Sequence, residues 1–275
     1  MANLLYSTQQ VELSFEPPAL RALFPLLDII DDAHWRYLFD ANTFEAFLVN
    51  ALAGRNLNFN KHDESCVYLA LDNAEVAARL AKGHRQIELA PLAQKRQVAV
   101  KLPDMNCYLN AFRRVAPDHS AVVMLRRPIS ILQSLVRMEW FTDARLSGIS
   151  ADWPHRKTKS SLAPHWVENQ YFDAWVTWSP LERCCYYYCR MYDEVSTIDG
   201  IHLVSFEAFV ANPISQFAKL VDTLGIGAGS QTSELLDGIY NPDKKYSLEI
   251  DGVSTNWWER MNAVHDDCLS RALIG

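Results

Sequence analysis

The sequence predicts an α/β fold of three layers, in which a mostly parallel central sheet is covered by helices on both faces. One pattern, found twice along the chain, indicates this fold. Short apolar runs alternate with segments of helical periodicity, and this alternation occurs twice, between residues 97 and 140 and between residues 181 and 225. The 275 residues, of which 49% are apolar, can bury one large core, and we expect a single domain spanning 1–275.

The first alternation begins with the β-branched run VAVK at 98–101, followed by a helical pattern that ends before Pro117. A second buried run, SAVVML at 120–125, leads into a helix that starts at Pro128, because proline suits a first helical turn. We expect the two runs to lie parallel in one sheet, with the intervening helix crossing over.

The second alternation consists of a long helix at 181–195, a buried strand at 201–206 and an amphipathic helix at 213–224 that Gly225 closes. This order again favours a parallel sheet with two covered faces.

The remaining segments give a coarser prediction. Residues 25–52 are largely helical in pattern, CVYLAL at 66–71 is typical of a strand, and 73–82 has helical periodicity. The segment 146–163 has no period and predicts a mobile surface loop.

Composition restricts the function class. The net charge of −7 argues against a nucleic-acid surface, which needs clustered lysine and arginine. Because no run of ~18 uncharged apolar residues and no leader pattern is present, we expect a soluble, cytoplasmic protein without a membrane partner. The six cysteines predict reduced, buried thiols. Cys185 and Cys189 are four apart, but no complementary pair exists elsewhere in the sequence, so no metal site is predicted.

The segment RRPISILQS contains an arginine at the end of a buried strand, a proline two positions later and a serine eight positions after the arginine, at Arg126, Pro128 and Ser134. An arginine fork offers planar, charge-assisted donors to a phosphate, and a hydroxyl two helical turns along can reach the same anion. This pattern resembles the nucleotide-binding turn of sulfotransferases. The alternative for Arg126 and Arg127 is an ordinary ion pair with Glu139 or Asp143.

Two further segments carry the same resemblance. VKLPDMNCYL looks like the family's Lys-x-Pro segment, and SFEAFVANPISQFAKLVDTLGI looks like its late acidic segment, Asn-Pro turn and Leu-Gly ending. Together the matches cover roughly 98–225.

The resemblance implies a P-loop-like fold of the sulfotransferase type and a cofactor, 3′-phosphoadenosine 5′-phosphosulfate (PAPS) or its product adenosine 3′,5′-bisphosphate (PAP). The implied cofactor-binding residues are Arg126, Ser134 and Arg127, with Lys245 from a late loop. If the chain is active, it transfers a sulfuryl group to a hydroxyl or amine on a small-molecule acceptor that the sequence does not identify.

The resemblance also implies two catalytic residues. Lys101 corresponds to a lysine bordering the family's active site, and the alternative is a strand-end lysine that extends to water. Asp104 is the candidate general base, and its alternative role is to cap a helix before Met105. His34 and His62 are further alternatives for the base.

One departure weighs against catalysis. Sulfotransferases hold the 5′-phosphosulfate with a loop of the type Pro-[Lys/Arg]-Ser-Gly-Thr-Thr, and residues 1–60 contain no match and one glycine, Gly54. The segment NLLYSTQQ is the nearest candidate for a short strand and degenerate loop, with Ser7 and Thr8 as remnants. The other candidate to replace the missing phosphate loop is a lysine of the later loop, Lys157 or Lys159.

The rival prediction is therefore a non-catalytic binding or scaffold protein that retains the fold. A nucleotide kinase is disfavoured because the sequence has no G-x₄-G-K-[ST].

Overall fold

The computed structural model describes residues 1–81, 86–147, 155–157, 162–239 and 250–272. It is a mixed α/β structure with small parallel sheets, which confirms the α/β class and the parallel strands. The strands in chain order are β1 (Val11–Phe15), β2 (Gln97–Lys101), β3 (Ala121–Leu125), β4 (His155–Lys157), β5 (Leu162–Pro164) and β6 (Ile201–Ser205).

The helices of the described residues alternate with these strands, and several follow a strand directly. In chain order they are α1 (Ala2–Tyr6), α2 (Pro18–Leu23), α3 (Asp32–Asp40), α4 (Asn50–Leu52), α5 (Asn73–Ala81), α6 (Gln86–Ala93), α7 (Leu109–Val115), α8 (Pro128–Arg137), α9 (Asp143–Ser147), α10 (Phe172–Thr177), α11 (Pro180–Tyr192), α12 (Phe206–Ala211), α13 (Pro213–Leu224), α14 (Thr232–Asp237) and α15 (Thr255–Ser270). A π-helix, Ala41–Val49, connects α3 to α4.

The chain divides into two compact units. The first comprises Met1–Leu23, Ile30–Pro103 and Asn212–Tyr240, and the second comprises Phe24–Ile29, Asp104–Ala211 and Asn241–Gly275. In the first unit, β1 pairs parallel with β2 and packs on an apolar cluster that includes Leu13 and Val76. In the second, β3 pairs parallel with β6, and α11 is the most deeply buried helix. The single domain expected from the sequence stays a prediction.

The strand partners differ from those expected. Within the described part of the chain, the run at 98–101 pairs with β1 and the run at 120–125 pairs with β6, so the prediction that they share one sheet is wrong. Periodicity identifies a strand but not its neighbour, because pairing depends on contacts distant in sequence.

Strand β1 was not predicted from the sequence, and it contains an unusual buried charge. Glu12 lies in the middle of VELSF and is fully buried, which the residue type argues against. Its carboxylate accepts a hydrogen bond from Arg79 Nη1 at 2.8 Å and lies 3.6 Å from Arg96 Nη1. These partners are far from Glu12 along the chain, so local pattern gives no sign of them. NLLYSTQQ, the segment considered instead as a strand, contains the helix α1.

Several local predictions are confirmed. The expected helices at 73–82, 128 onward and 213–224 are α5, α8 and α13, and Gly225 ends α13 with a φ of 65°, the left-handed conformation that glycine adopts readily. The predicted helix 181–195 corresponds to α11.

The strand predicted at 66–71 is wrong, because Val67–Leu69 forms a 3₁₀ helix. Val67, Ala70 and Leu71 bury together in the cluster beneath β1, and their spacing of three and four is helical. A run of six apolar residues does not distinguish a buried strand from a buried helical turn.

The loop predicted at 146–163 also needs correction. Its described part contains β4, which pairs antiparallel with β5, so His155 lies opposite Pro164. Lys159 lies outside the described residues, and Lys157 is the last residue of β4.

Among the residues that the structure describes, no helix has both the length and the apolar content required to cross a bilayer.

Candidate functional site

The carboxyl ends of β3 and β6 form one edge of their parallel sheet. Leu125, the last residue of β3, lies opposite Ser205, the last residue of β6. Arg126 and Phe206 follow these two residues, and the Arg126 guanidinium lies over the Phe206 ring, 4.8 Å from its centroid. Ligands of open α/β sheets bind outside this edge, so Arg126 lies at the kind of edge where a ligand can bind. Its role in nucleotide binding stays a prediction.

Helix α8 starts immediately after this strand end. Arg127 occupies the N-cap position and Pro128 begins the first turn, as the sequence predicted. Ser134 lies seven residues after Arg127, and at about 100° per residue the two therefore project from the same side of the helix. Ser134 is half-buried, and its hydroxyl contacts the Met138 sulfur at 3.9 Å.

Arg127 has a different partner from the one considered in the sequence. Its backbone N–H donates to Glu207 Oε1 at 3.0 Å, and its Nε lies 3.3 Å from the same oxygen. Asp143, one of the alternatives from the sequence, instead pairs with Arg183 at 2.6 Å. Glu207, from the late acidic segment, thus holds Arg127, the N-cap residue of α8.

Two tyrosines of α11 hold the end of β3. The Tyr188 hydroxyl donates to the Arg126 carbonyl at 3.1 Å, and the Tyr192 hydroxyl donates to the Met124 carbonyl at 2.9 Å. The spacing fits because four helical residues rise about 6 Å and two strand residues span about 6.6 Å. Helix α11 therefore positions the backbone from which Arg126 projects. Both tyrosines are buried.

A histidine of the last helix completes this group. His265 Nδ1 lies 3.1 Å from the Tyr188 hydroxyl. Burial lowers the pKa of His265, while the nearby Glu207 and Asp266 carboxylates act in the opposite direction. The sequence prediction missed His265, and its position on α15 far along the chain left no local pattern to find it.

Asp104 also lies in the second unit, and it follows the end of β2 by three residues. Its φ of 63° is left-handed, a conformation that is uncommon for residues other than glycine. The hydroxyl of the half-buried Tyr187 donates to the Asp104 carboxylate. The helix that follows starts with Met105 as its N-cap, so the capping alternative for Asp104 is not what the structure shows. Burial and the Asp104 charge hold the pKa of Tyr187 well above its ordinary value, so Tyr187 stays a proton donor. The role of Asp104 as general base stays a prediction.

A second polar pair was missed by the sequence prediction. Tyr108 and His165 are hydrogen-bonded through the hydroxyl and Nδ1, and their rings stack with centroids 5.4 Å apart. His165 is buried. By contrast, His34 and His62, the histidines considered from the sequence, are exposed, and His34 bonds to its neighbour Asp31.

Lys101 belongs to the first unit, at the end of β2. Its ammonium forms an ion pair with Glu16 and lies 4.1 Å from the centroid of the Phe15 ring. The side chain is 37% exposed. These contacts match the alternative of a strand-end lysine, and the catalytic role of Lys101 stays a prediction.

Ser7 and Thr8, the candidate remnants of a phosphate loop, form hydrogen bonds within the first unit. Ser7 and Thr8 are both buried, and their hydroxyls donate to the carbonyls of Leu4 and Leu5 at 2.8 and 2.7 Å. The Ser7 hydroxyl also bonds to Thr232. Ser7 and Thr8 follow the C-terminal end of helix α1, and each hydroxyl already donates a hydrogen bond to a carbonyl. Lys245, the predicted contact from the late loop, lies outside the described residues.

The six cysteines are unbridged, and within the described ranges no group of three or more histidine, cysteine, aspartate or glutamate residues is arranged to hold a metal ion. Comparison with protein-family models, with curated proteins and with solved structures finds no match to this chain. The resemblance in the sequence is therefore a prediction, to be judged by the chemistry of the β3–β6 edge.

Proposed function

We propose that this chain binds a 3′-phosphoadenosine nucleotide, PAPS or PAP, at the carboxyl edge of β3 and β6, with the 3′-phosphate on Arg126 and Ser134. The observation that supports it most directly is the position of Arg126 between the end of β3 and the start of α8, with Ser134 two turns along that helix. The corresponding fold is a three-layer, P-loop-like α/β domain of the sulfotransferase type.

Two guanidinium groups among the described side chains at this edge can bind a compact anion. Arg127 and Glu207 form an ion pair, and Arg126 adds a second guanidinium, so these three side chains carry one net positive charge. The positive end of the ten-residue helix α8 lies at the same place. Local positive charge of this kind reconciles phosphate binding with a chain whose net charge is −7.

The structure also favours the non-catalytic form of this function. Where β1 leads into α2, the residues are Glu16, Pro17 and Pro18. Prolines lack the backbone N–H that would cradle a phosphate, and the Glu16 carboxylate already occupies Lys101. We therefore propose nucleotide binding with slow sulfuryl transfer or none. If transfer occurs, Asp104 is our candidate base.

Calorimetric titration with PAP, beside 5′-AMP, tests the binding. We expect PAP to bind and 5′-AMP to bind much more weakly, because the recognised group is the 3′-phosphate. The Arg126→Ala variant should lose about 1.5 to 3 kcal/mol of binding free energy, the range for a hydrogen bond to a charged group. Arg137→Ala, at the other end of α8, is the matched control and should bind normally. Equal affinities for the two nucleotides would defeat the proposal.

Transfer of radiolabelled sulfate from PAPS to a panel of phenols, alcohols and amines tests the catalytic part. An enzyme that lacks a whole set of preorganised donors should turn over near background, since one such donor contributes ~10² to 10³ in rate. Turnover of ~1 s⁻¹ or more, which is ordinary for enzymes, would show that the chain is an active sulfotransferase.

A further inference from the structure

His265 is linked to the proposed phosphate site through Tyr188. It projects from α15, which packs on α8, α11, β3 and β6. Its Nδ1 lies 3.1 Å from the Tyr188 hydroxyl, and that hydroxyl donates to the Arg126 carbonyl at 3.1 Å. Two hydrogen bonds through Tyr188 thus link His265 to the residue that carries the candidate guanidinium, and the His265 side chain is half-buried.

The hydrogen bonds fix which nitrogen of His265 takes up a proton. A tyrosine hydroxyl has one hydrogen, and Tyr188 gives it to the Arg126 carbonyl. His265 Nδ1 must therefore carry a hydrogen and donate it to the Tyr188 oxygen. Protonation then occurs at Nε2 and leaves the bond to Tyr188 intact, so the charge can change without loss of the backbone support of Arg126.

Four charged or titratable groups face His265. They are Tyr188 on α11, Glu207 at the start of α12, Arg127 before α8 and Asp266 on its own helix. Burial lowers the pKa of His265 and Arg127 lowers it further, whereas the two carboxylates raise it. The balance keeps the imidazole neutral near pH 7 in the absence of an anion.

We propose that His265 is a further cationic residue of the anion site at the β3–β6 edge, and that an anion binds there more tightly when the imidazole is protonated. The inference rests on the proposed phosphate site but not on the identity of the nucleotide. Protonation takes the summed charge of Arg126, Arg127, Glu207 and His265 from one positive to two. Protonated His265 also attracts the Glu207 carboxylate, and this attraction weakens the ion pair between Glu207 and Arg127.

The sign of the pH dependence follows from linkage. An anion bound at the cluster of Arg126, Arg127, Glu207 and His265 stabilises the protonated form of His265 and so raises the pKa of His265. Anion affinity must therefore increase as pH falls through the pKa of the bound state, and it must level off below the pKa of the free state. The relevant window lies around and below the ordinary histidine value of about 6.5, because burial lowers the free-state pKa.

Inorganic sulfate is the probe for this inference, since it stays dianionic across the window whereas a phosphate ester takes up a proton. NMR titration of the histidine ring resonances, with and without saturating sulfate, measures the pKa of His265 directly. We expect sulfate to raise it by about half to one unit, which equals a three- to tenfold gain in sulfate affinity at low pH, as expected for charges several ångströms apart at a partly exposed site.

His202 provides the matched control. It is a half-buried histidine of the second unit whose pKa burial also lowers, and it lies near the opposite end of β6. Its pKa should not respond to sulfate, and His202→Gln should keep the pH dependence that His265→Gln abolishes. The inference is overturned if sulfate does not bind, if bound sulfate leaves the pKa of His265 unchanged, or if the His265→Gln variant keeps the wild-type pH dependence. If sulfate shifts His265 but PAP does not bind, the nucleotide proposal alone fails.

Discussion

The carboxylate of Glu207 accepts a hydrogen bond from the backbone N–H of Arg127 at 3.0 Å, and the same oxygen lies 3.3 Å from the Nε of that arginine. The pair joins the first turn of α12 to the residue that precedes α8, at the edge where β3 and β6 end. Both side chains are partly exposed, at 42% for Arg127 and 25% for Glu207, so solvent screens the pair and an incoming anion can compete with the carboxylate.

Glu207→Gln should therefore strengthen anion binding. The amide oxygen can still accept from the Arg127 N–H, but the negative charge that opposes an anion is removed. We expect PAP or sulfate to bind about three- to tenfold more tightly, from Coulomb's law at a dielectric constant between those of protein and water. Calorimetry measures the change, and Glu194→Gln, an exposed residue of the same unit, is the control for net charge. Unchanged or weaker binding in Glu207→Gln would contradict the proposed location.

Tyr188→Phe should weaken anion binding because it removes the hydroxyl that holds the Arg126 carbonyl. We expect a loss of about 0.5 to 1.5 kcal/mol in stability, typical of one hydrogen bond, and a several-fold loss in PAP affinity. Tyr192→Phe is the matched variant: it loses a bond to Met124 instead, so its stability should fall similarly while PAP affinity changes little. Thermal unfolding and titration separate the two effects, and equal affinity losses would refute the positioning role of Tyr188.

Arg79→Met should destabilise the first unit strongly. The Glu12 side chain is fully buried and Arg79 Nη1 is its hydrogen-bonded partner at 2.8 Å, so removal of the arginine leaves a poorly compensated buried charge. Breaking such a pair typically reduces the free energy of unfolding by about 3 to 5 kcal/mol.

Urea unfolding measures this effect, with Arg36→Met as the control. Arg36 forms an exposed pair with Asp40 within α3, and exposed helical pairs contribute only about 0.3 to 0.5 kcal/mol. The double variant Glu12→Gln with Arg79→Met should recover part of the stability, because the buried charge is removed. Similar losses in the two single variants would show that Arg79 packs without stabilising Glu12.

The buried thiols should resist modification in the folded protein. Burial raises the pKa of Cys184, Cys185 and Cys189 to about 12, so at pH 8 about one molecule in ten thousand carries a thiolate at each site. With a thiol-reactive chromophore at pH 8, these three should label slowly, and all six thiols should label at once in guanidinium chloride. Rapid labelling of any of the three, located by peptide mapping, would show that the core around α11 opens.

The α8 segment illustrates what local pattern can predict. Proline at the first turn specifies the start of α8, and the β-branched run before it specifies β3. Gly225 specifies the end of α13 because a left-handed residue is needed there. Each of these features depends on residues within a few positions of one another, which is why the sequence predicted them.

The sequence by itself determined the α/β class, the start of α8 after β3 and the end of α13, because propensity, capping and spacing are local. It also supplied Arg126 and Ser134 as candidate anion-binding residues. Tertiary structure alone decided that β3 pairs with β6, that Glu207 holds Arg127, and that Tyr188 joins the Arg126 carbonyl to His265. These relationships join residues about 60 to 80 positions apart. Burial makes each polar group find a partner, but only the folded chain determines which partner it is.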